Sequence, residues 1–428
     1  MDWFVLNDAS GALNPRFLEL DKEGNTYLVG EYSGEVMFRS AEPSADTFHT
    51  LAPSKKKVFL SKYDVNGNLL FGATIKALGS SNHLIGIRGF KVLADGRLLV
   101  GVYSDYDIII RDANGEKHQF KLYKKMLLLY FSNDGKFLKH TKFPYKHAHH
   151  FQEDQYGRIY CVARGRSRGI FYQDKGTEAF QQLNFTPLRN YNYNSTLFQG
   201  YQVLGDDLWI LIVENKTERY SKKHLIQLYK LNARKTPTTI APIFTKKIEG
   251  YSDYACNLVV NQGTVEVVLG VNKSKNATFK VNSSKLFDFA HNGLVIFSAD
   301  GQVKLKEDMS FLPARSLRVT PSQIGGYYVL GRPYKTFKLK GQQDSIMVKA
   351  HSPYVYDQLL MKVDDNFSLE WYTKAGGTSD QYFVLGVQEH QGSVIYASAI
   401  RDYGEFLGAY KEVNWLAGCY LMKIKPPE

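Results

Sequence analysis

The stretch KFPYKHAHHF, residues 142–151, sets His147, His149 and His150 within four positions, beside two lysines and a tyrosine. Imidazoles grouped in this way can ligate a metal, move a proton near neutral pH or, once protonated, hold an anion. On a strand His147 and His149 share one face and His150 takes the other, so at most two serve one purpose. A third metal ligand would have to come from a distant segment, from Asp253 or His83, and no HExxH pattern is present. No metal and no cofactor is therefore expected. The remaining nucleophile candidates are Cys161, Cys256 and Cys419, which lie far apart in apolar runs. An odd, scattered set of this kind predicts buried free thiols and no disulfide framework or zinc cluster.

The elements that position these residues are repeats. A Gly-containing turn followed by a strand rich in aromatic and aliphatic residues recurs seven times: KEGNTYLVG (22–30), ADGRLLVG (94–101), QYGRIYCVA (155–163), LGDDLWILI (204–212), NQGTVEVVLG (261–270), QIGGYYVLG (323–331) and HQGSVIYAS (390–398). A second hairpin follows, as in FLSKYDVNGNLLFGATI (59–75) and LVIFSADGQVKLKE (294–307). Helical periodicity is nearly absent. The last unit, ending CYLMKIKPPE, lacks its final strand, and MDWFVLNDASG (1–11) matches LEWYTKAGGTSD (369–380), the strand it lacks. Four-stranded units closed by strand exchange predict an all-β fold: one seven-bladed β-propeller of antiparallel blades spanning 1–428. The blades fall at about 15–75, 87–143, 147–187, 197–246, 253–307, 314–375 and 381–428 plus 1–11.

The strings FLELDKEGNTYLVGEYSGEVMF, FLSKYDVNGNLLF and LEWYTKAGGTSD resemble the bacterial seven-bladed propeller repeats abbreviated SBBP, most closely in blades one and six. That resemblance implies the propeller and an extracytoplasmic setting. A second one is confined to 147–180, HAHHFQEDQYGRIYCVARGRSRGIFYQDKGTEAF, which is similar to a blade of propeller-type polysaccharide lyases, ulvan lyases among them. It implies β-elimination on a uronate-containing polysaccharide, with His149 or His150 as base, Arg164 or Arg166 neutralising the carboxylate and Tyr172 as acid. The chemistry is sound, because neutralising the carboxylate acidifies the proton to be removed.

In a propeller, the links from each outer strand to the next inner strand gather at one mouth, where ligand sites commonly sit. Those links carry Arg16, Arg88, His147, His149, Arg189, Tyr191, Tyr193, Tyr251, Tyr254, Arg315 and Tyr382, which are the candidate ligand-binding residues. Guanidinium groups hold carboxylate or sulfate in bidentate fashion, and tyrosines stack and donate a hydrogen bond. A net charge of +12 agrees with an anionic partner, although loops on a basic protein are also simply wet. No nucleic-acid motif and no run long enough to span a membrane as a helix occurs.

The expectation is a non-enzymatic binding or assembly platform, able to serve in a larger assembly. It would recognise an acidic protein surface or an anionic polysaccharide, and no sequence-specific nucleic acid; the alternative is a polysaccharide lyase. The N-terminus has neither a basic region nor a long apolar one, so no signal peptide is expected in this chain. Together with the SBBP likeness this points to the periplasm or cell surface with the leader removed, and the cytoplasm is the alternative.

Overall fold

The computed structural model describes residues 2–42, 47–78, 85–121, 125–163, 169–183, 196–218, 221–232, 241–249, 251–273, 280–282, 284–285, 292–309, 318–331, 337–340, 345–348, 358–376, 383–400, 403–406, 409–412 and 417–425. After β1 (Trp3–Ala9), the first antiparallel sheet runs β2 (Leu13–Leu20), β3 (Thr26–Phe38), β4 (Phe48–Tyr63), β5 (Leu69–Ala77). The second joins β6 (Ile85–Val92) and β7 (Leu98–Ser104) to β10 (Lys125–Phe131) and β11 (Phe137–Phe143). Between its halves it sends out an arm, β8 (Ile108–Arg111) and β9 (Lys117–Phe120). The third is β12 (Ala148–Glu153), β13 (Ile159–Ala163), β14 (Gly169–Gln173) and the two-residue β15 (Gln181–Gln182).

The fourth sheet is β16 (Thr196–Leu204), β17 (Asp207–Glu218), β18 (Ser221–Asn232), β19 (Phe244–Glu249). In the fifth, β20 (Tyr251–Asn261) and β21 (Thr264–Lys273) continue through the arm β22 (Lys280–Val281) and β23 (Ser284–Lys285) to β24 (Asn292–Ser298) and β25 (Val303–Asp308). The sixth places β26 (Arg318–Pro321), β27 (Tyr327–Gly331), β30 (Gln358–Val363) and β31 (Leu369–Gly376) around the hairpin β28 (Phe337–Lys340) and β29 (Ser345–Val348). The seventh has β32 (Phe383–His390), β33 (Ser393–Ile400), the hairpin β34 (Tyr403–Phe406) and β35 (Ala409–Glu412), and then β36 (Ala417–Ile424). Its outer strand is β1, paired from Trp3↔Lys423 to Ala9↔Ala417.

The chain is thus all-β, with seven four-stranded antiparallel blades of a seven-bladed β-propeller. Among the described residues no helix is long and apolar enough to cross a membrane. Chain contacts divide it into two compact units, Met1–Leu183 with Gly377–Glu428, and Asn184–Gly376.

Local chemistry sets the hairpins. In the turn 21–25 the Asp21 carboxylate accepts the Asn25 amide at 2.8 Å, and Gly24, at φ +83°, donates its N–H to the Asp21 carbonyl. The same Asp-x-x-Gly arrangement recurs at Asp64, Asp112 and Asp154. Glycine takes the left-handed conformation without a Cβ penalty. At Asp364 the turn lacks a glycine, and Phe367 is held at φ +63° instead.

Within each unit, apolar sheet faces meet so that neighbouring blades share cores. In the first unit Val58, Ile75 and Ile110 of the first sheet and its added arm meet Ile87, Val100 and Leu129 of the second. On the opposite face of the first sheet Phe59 and Tyr32 meet Ile395, Cys419 and Leu421 of the seventh. In the second unit Leu211 and Leu228 meet Val267 and Val295. Each aromatic or aliphatic side chain buried in this way contributes about 1.5–3 kcal/mol.

The arms depart from the simple repeat expected from sequence. β8 adds to the free edge of β5, pairing Ile110 with Ile75, and the far end of β3 reaches β1, pairing Asp8 with Met37. The first two blades and the seventh are thereby joined into one sheet, of which the second contributes only its arm. In the second unit β22 adds to β19 in the same way. An arm that pairs with the previous blade's outer strand removes an unpaired edge, which would otherwise invite association.

Candidate functional site

Within the first unit the inner strands lie side by side in the order β32, β2, β6, β12. Their pairing slips at one corresponding place: between Pro15 and Phe17, between Ile87 and Gly89, between His149 and Gln152, and between Val384 and Gly386. A bulge leaves a residue outside the ladder and re-aims its side chain. The residues set out in this way include Arg16, Arg88 and His150. His150 is at φ +55°, an uncommon conformation for a residue with a Cβ. Next to it the Phe151 ring fills the space that a Cβ on Gly89 or Gly101 would take, so the kink is held by packing against the second blade.

These residues form a polar track. Glu31, on β3 and only 3 % exposed, accepts Lys56 Nζ at 2.9 Å and Arg16 Nη2 at 3.4 Å on one carboxylate oxygen. Its other oxygen lies beside Gly86, where a Cβ would stand 3.1 Å from Glu31 Oε1 and 3.5 Å from the Arg88 guanidinium. The Arg88 Cζ is 5.9 Å from the centre of the Tyr103 ring, and Arg88 Nε has no hydrogen-bond partner among the described residues. Tyr103 in turn stands 5.2 Å from the His147 ring, and its hydroxyl donates to Asp105 at 2.6 Å. Burial first, and then this carboxylate, pushes the Tyr103 hydroxyl up to about 12, so it stays a hydrogen-bond donor at neutral pH. His147 stacks on His149 at 6.3 Å and 21°, and His150 follows at 6.5 Å from His149.

Three basic side chains, Arg16, Lys56 and Arg88, therefore face two carboxylates along the track, with three imidazoles at one end. The strict alternation expected of His149 and His150 does not hold, because the bulge keeps the third ring beside the second.

Other candidates fall elsewhere. Tyr172 lies on β14 opposite Tyr160, two strands and one pleat repeat from His149, roughly 12 Å by strand spacing. There it donates to Gln181 at 2.8 Å, under the Arg158 guanidinium at 4.5 Å. Tyr251 and Tyr254 are on β20 in the second unit, and their side chains are outside the described set. Arg164, Arg166, Arg189, Tyr191, Tyr193, Arg315 and Tyr382 also lie outside the described residues.

Sequence reasoning missed Glu31, Lys56 and Tyr103. For Glu31 and Tyr103 the signal was the recurring Gly-x-Tyr, GEY at 30–32 and GVY at 101–103, whose glycine faces each bulge.

A different cluster, Asp112, Glu116 and His118, brings three potential metal-ligand atoms within 4.8 Å. Asp112 is already used, however. One oxygen accepts the Asn114 and Glu116 amides, and the other accepts the Phe137 amide and stands 3.3 Å from His118 Nε2. It is the cap of a turn. The cysteines are free and buried, as expected, and burial pushes the Cys256 thiol up to about 12.

No protein-family model and no curated relative matches the chain. Among solved structures, it is similar to a catalytically inactive virginiamycin B lyase from Staphylococcus aureus with quinupristin. The identity is 11 % and the TM-score 0.34, over 82 % of this chain and 99 % of that one. A protein of unknown function from Bacteroides caccae aligns at 10 % identity and a TM-score of 0.28, over 65 % and 92 % of the two chains. The functional reading therefore rests on this chain's own residues.

Proposed function

We propose that this protein is a non-enzymatic binding or assembly platform, recognising carboxylates or sulfates of an acidic protein surface or an anionic glycan along the track from Arg16 to His150. The propeller fold fits such a platform. The observation that carries the reading is the bulge repeated at one register position, which delivers Arg16 and Arg88 from adjacent inner strands to either side of Glu31. Arginines are suited to this task, since the planar fork pairs with a carboxylate or sulfate in a way lysine cannot. Tyr103 adds a ring face. The SBBP likeness supports the periplasm or cell surface as the setting, with the cytoplasm as alternative.

The competing chemistry is β-elimination on a uronate polymer, with His149 or His150 as base. Tyr172, the acid of that reading, stands two strands from His149 and donates to Gln181.

The test is titration calorimetry with polygalacturonate and with an acidic peptide, on wild type and on Arg16→Gln and Arg88→Gln, while unsaturated product is followed by its ultraviolet absorbance. Binding should weaken about tenfold per arginine removed and fall steeply with salt. Equal binding by both variants would sink the platform reading. Product formation that disappears in His149→Ala would replace it with the lyase.

A further inference from the structure

A second concentration of charge lies on the outer part of the first blade, where the arm of the second joins it. Residues directly opposite in neighbouring strands share a face. One row across the sheet is Tyr32, Lys57, Lys76, Ile109 and Gln119; the next is Gly30, Phe59, Thr74, Arg111 and Lys117. Four cations thus occupy adjacent positions of two neighbouring rows: Lys57 opposite Lys76, and Arg111 opposite Lys117.

Cross-strand partners stand about 5 Å apart at Cβ and diagonal ones about 7–8 Å, so these side chains can reach a common point. Like charges placed opposite one another are destabilising, and an anion held between them relieves the repulsion. Asp107 immediately precedes β8, and its carbonyl accepts the Leu78 amide. Lys76, Arg111 and Lys117 are exposed, whereas Lys57 is half-buried with its ammonium 5.7 Å from the Tyr32 ring centre. Burial above all, then Lys76 and Arg111, lowers the Lys57 ammonium to about 8. The inner end of the face is closed where the Phe48 ring covers Gly72.

We propose that Lys57, Lys76, Arg111 and Lys117 form a binding site for a tetrahedral oxyanion, a sulfate or phosphate group, separate from the Arg16–His150 track. A dianion among them replaces mutual repulsion with charge-assisted hydrogen bonds, and the Arg111 fork supplies two donors on one edge. The site exists only because β8 is added to β5: the second blade's arm brings Arg111 and Lys117 to the first blade's lysines.

Calorimetric titration with sodium sulfate, against sodium chloride at matched ionic strength, tests this. Saturable sulfate binding is expected, weakened about tenfold in Lys76→Gln and in Arg111→Gln. Both altered positions are exposed, and thermal melts would verify that the fold is retained. Parallel titrations with a sugar sulfate and a sugar phosphate identify which ester is preferred. Sulfate binding no better than chloride overturns the proposal. So does undiminished binding in the Lys76→Gln, Arg111→Gln double variant. Loss in Arg88→Gln alone would assign the anion to the track instead.

Discussion

Side-chain placement at single residues gives this molecule its unusual electrostatics. Lys57 is charged in the unfolded chain up to its ordinary value of 10.5, but in the folded chain only up to about 8. Tyr32, Lys76, Arg111 and Lys117 are the groups around it on β3, β5, β8 and β9, with Asp107 just before β8. Below pH 8 both states hold the proton and the folded state bears the whole penalty. Between pH 8 and 10.5 the folded state has released the proton and the unfolded state has not, so stability rises with pH. Lys57→Gln should therefore melt higher than wild type at pH 7, with the difference shrinking as pH approaches 10.5. Melting curves of both proteins across that range check it, and a gap that does not change with pH would mean that Lys57 is not the cause.

Among the elements, the arms distinguish this chain from a plain set of four-stranded blades. β8 is only four residues long, yet Ile108 and Ile110 are fully buried in the core between the first and second blades. The arm is thus a component of the core as well as an edge cover. Replacing Ile110 by Ala removes a side chain with no exposure and should cost about 2–5 kcal/mol, read from the denaturant midpoint. Lys117→Ala on the exposed β9 should change it by less than about 0.5 kcal/mol. Similar losses in the two variants would show that the arm does not contribute to the core.

For the whole molecule, the two ends of the chain are bound to each other through β1 and β36. Seven consecutive residue pairs join them, Val5 and Ala9 are buried, and Trp3 Nε1 donates to the Val65 carbonyl in the next blade at 2.9 Å. Removing residues 1–9 would leave β36 as a bare edge and open the core around Cys419 and Leu421. The shortened chain should lose its cooperative melt and aggregate, and a peptide of residues 1–11 added during refolding should restore it. An unchanged melting temperature after truncation would rule out this closure as a source of stability.

The amino-acid sequence by itself determined the blades. Each of the seven turn glycines anticipated from the repeats has positive φ, from Gly24 at +83° to Gly392 at +73°. The complementarity of MDWFVLNDASG to the last blade proved to be a strand pairing. Such features are local or periodic: a turn's Asp and Gly act within five residues, and the alternation of buried faces repeats at every second residue. The site was only partly legible. Arg16, Arg88 and the histidines could be placed near one another from loop topology, but Glu31 and Tyr103 come from second strands and meet them across blades. The departures came from register. A one-residue bulge brings His150 beside His149, and strand pairing sets Tyr172 two strands from His149. The pairing of β8 with β5 assembles four cations from segments 35 to 60 residues apart along the chain. Only tertiary structure decides such meetings, because they depend on which edge an arm joins and at which residue, and the hydrophobic pattern of either strand leaves that choice open.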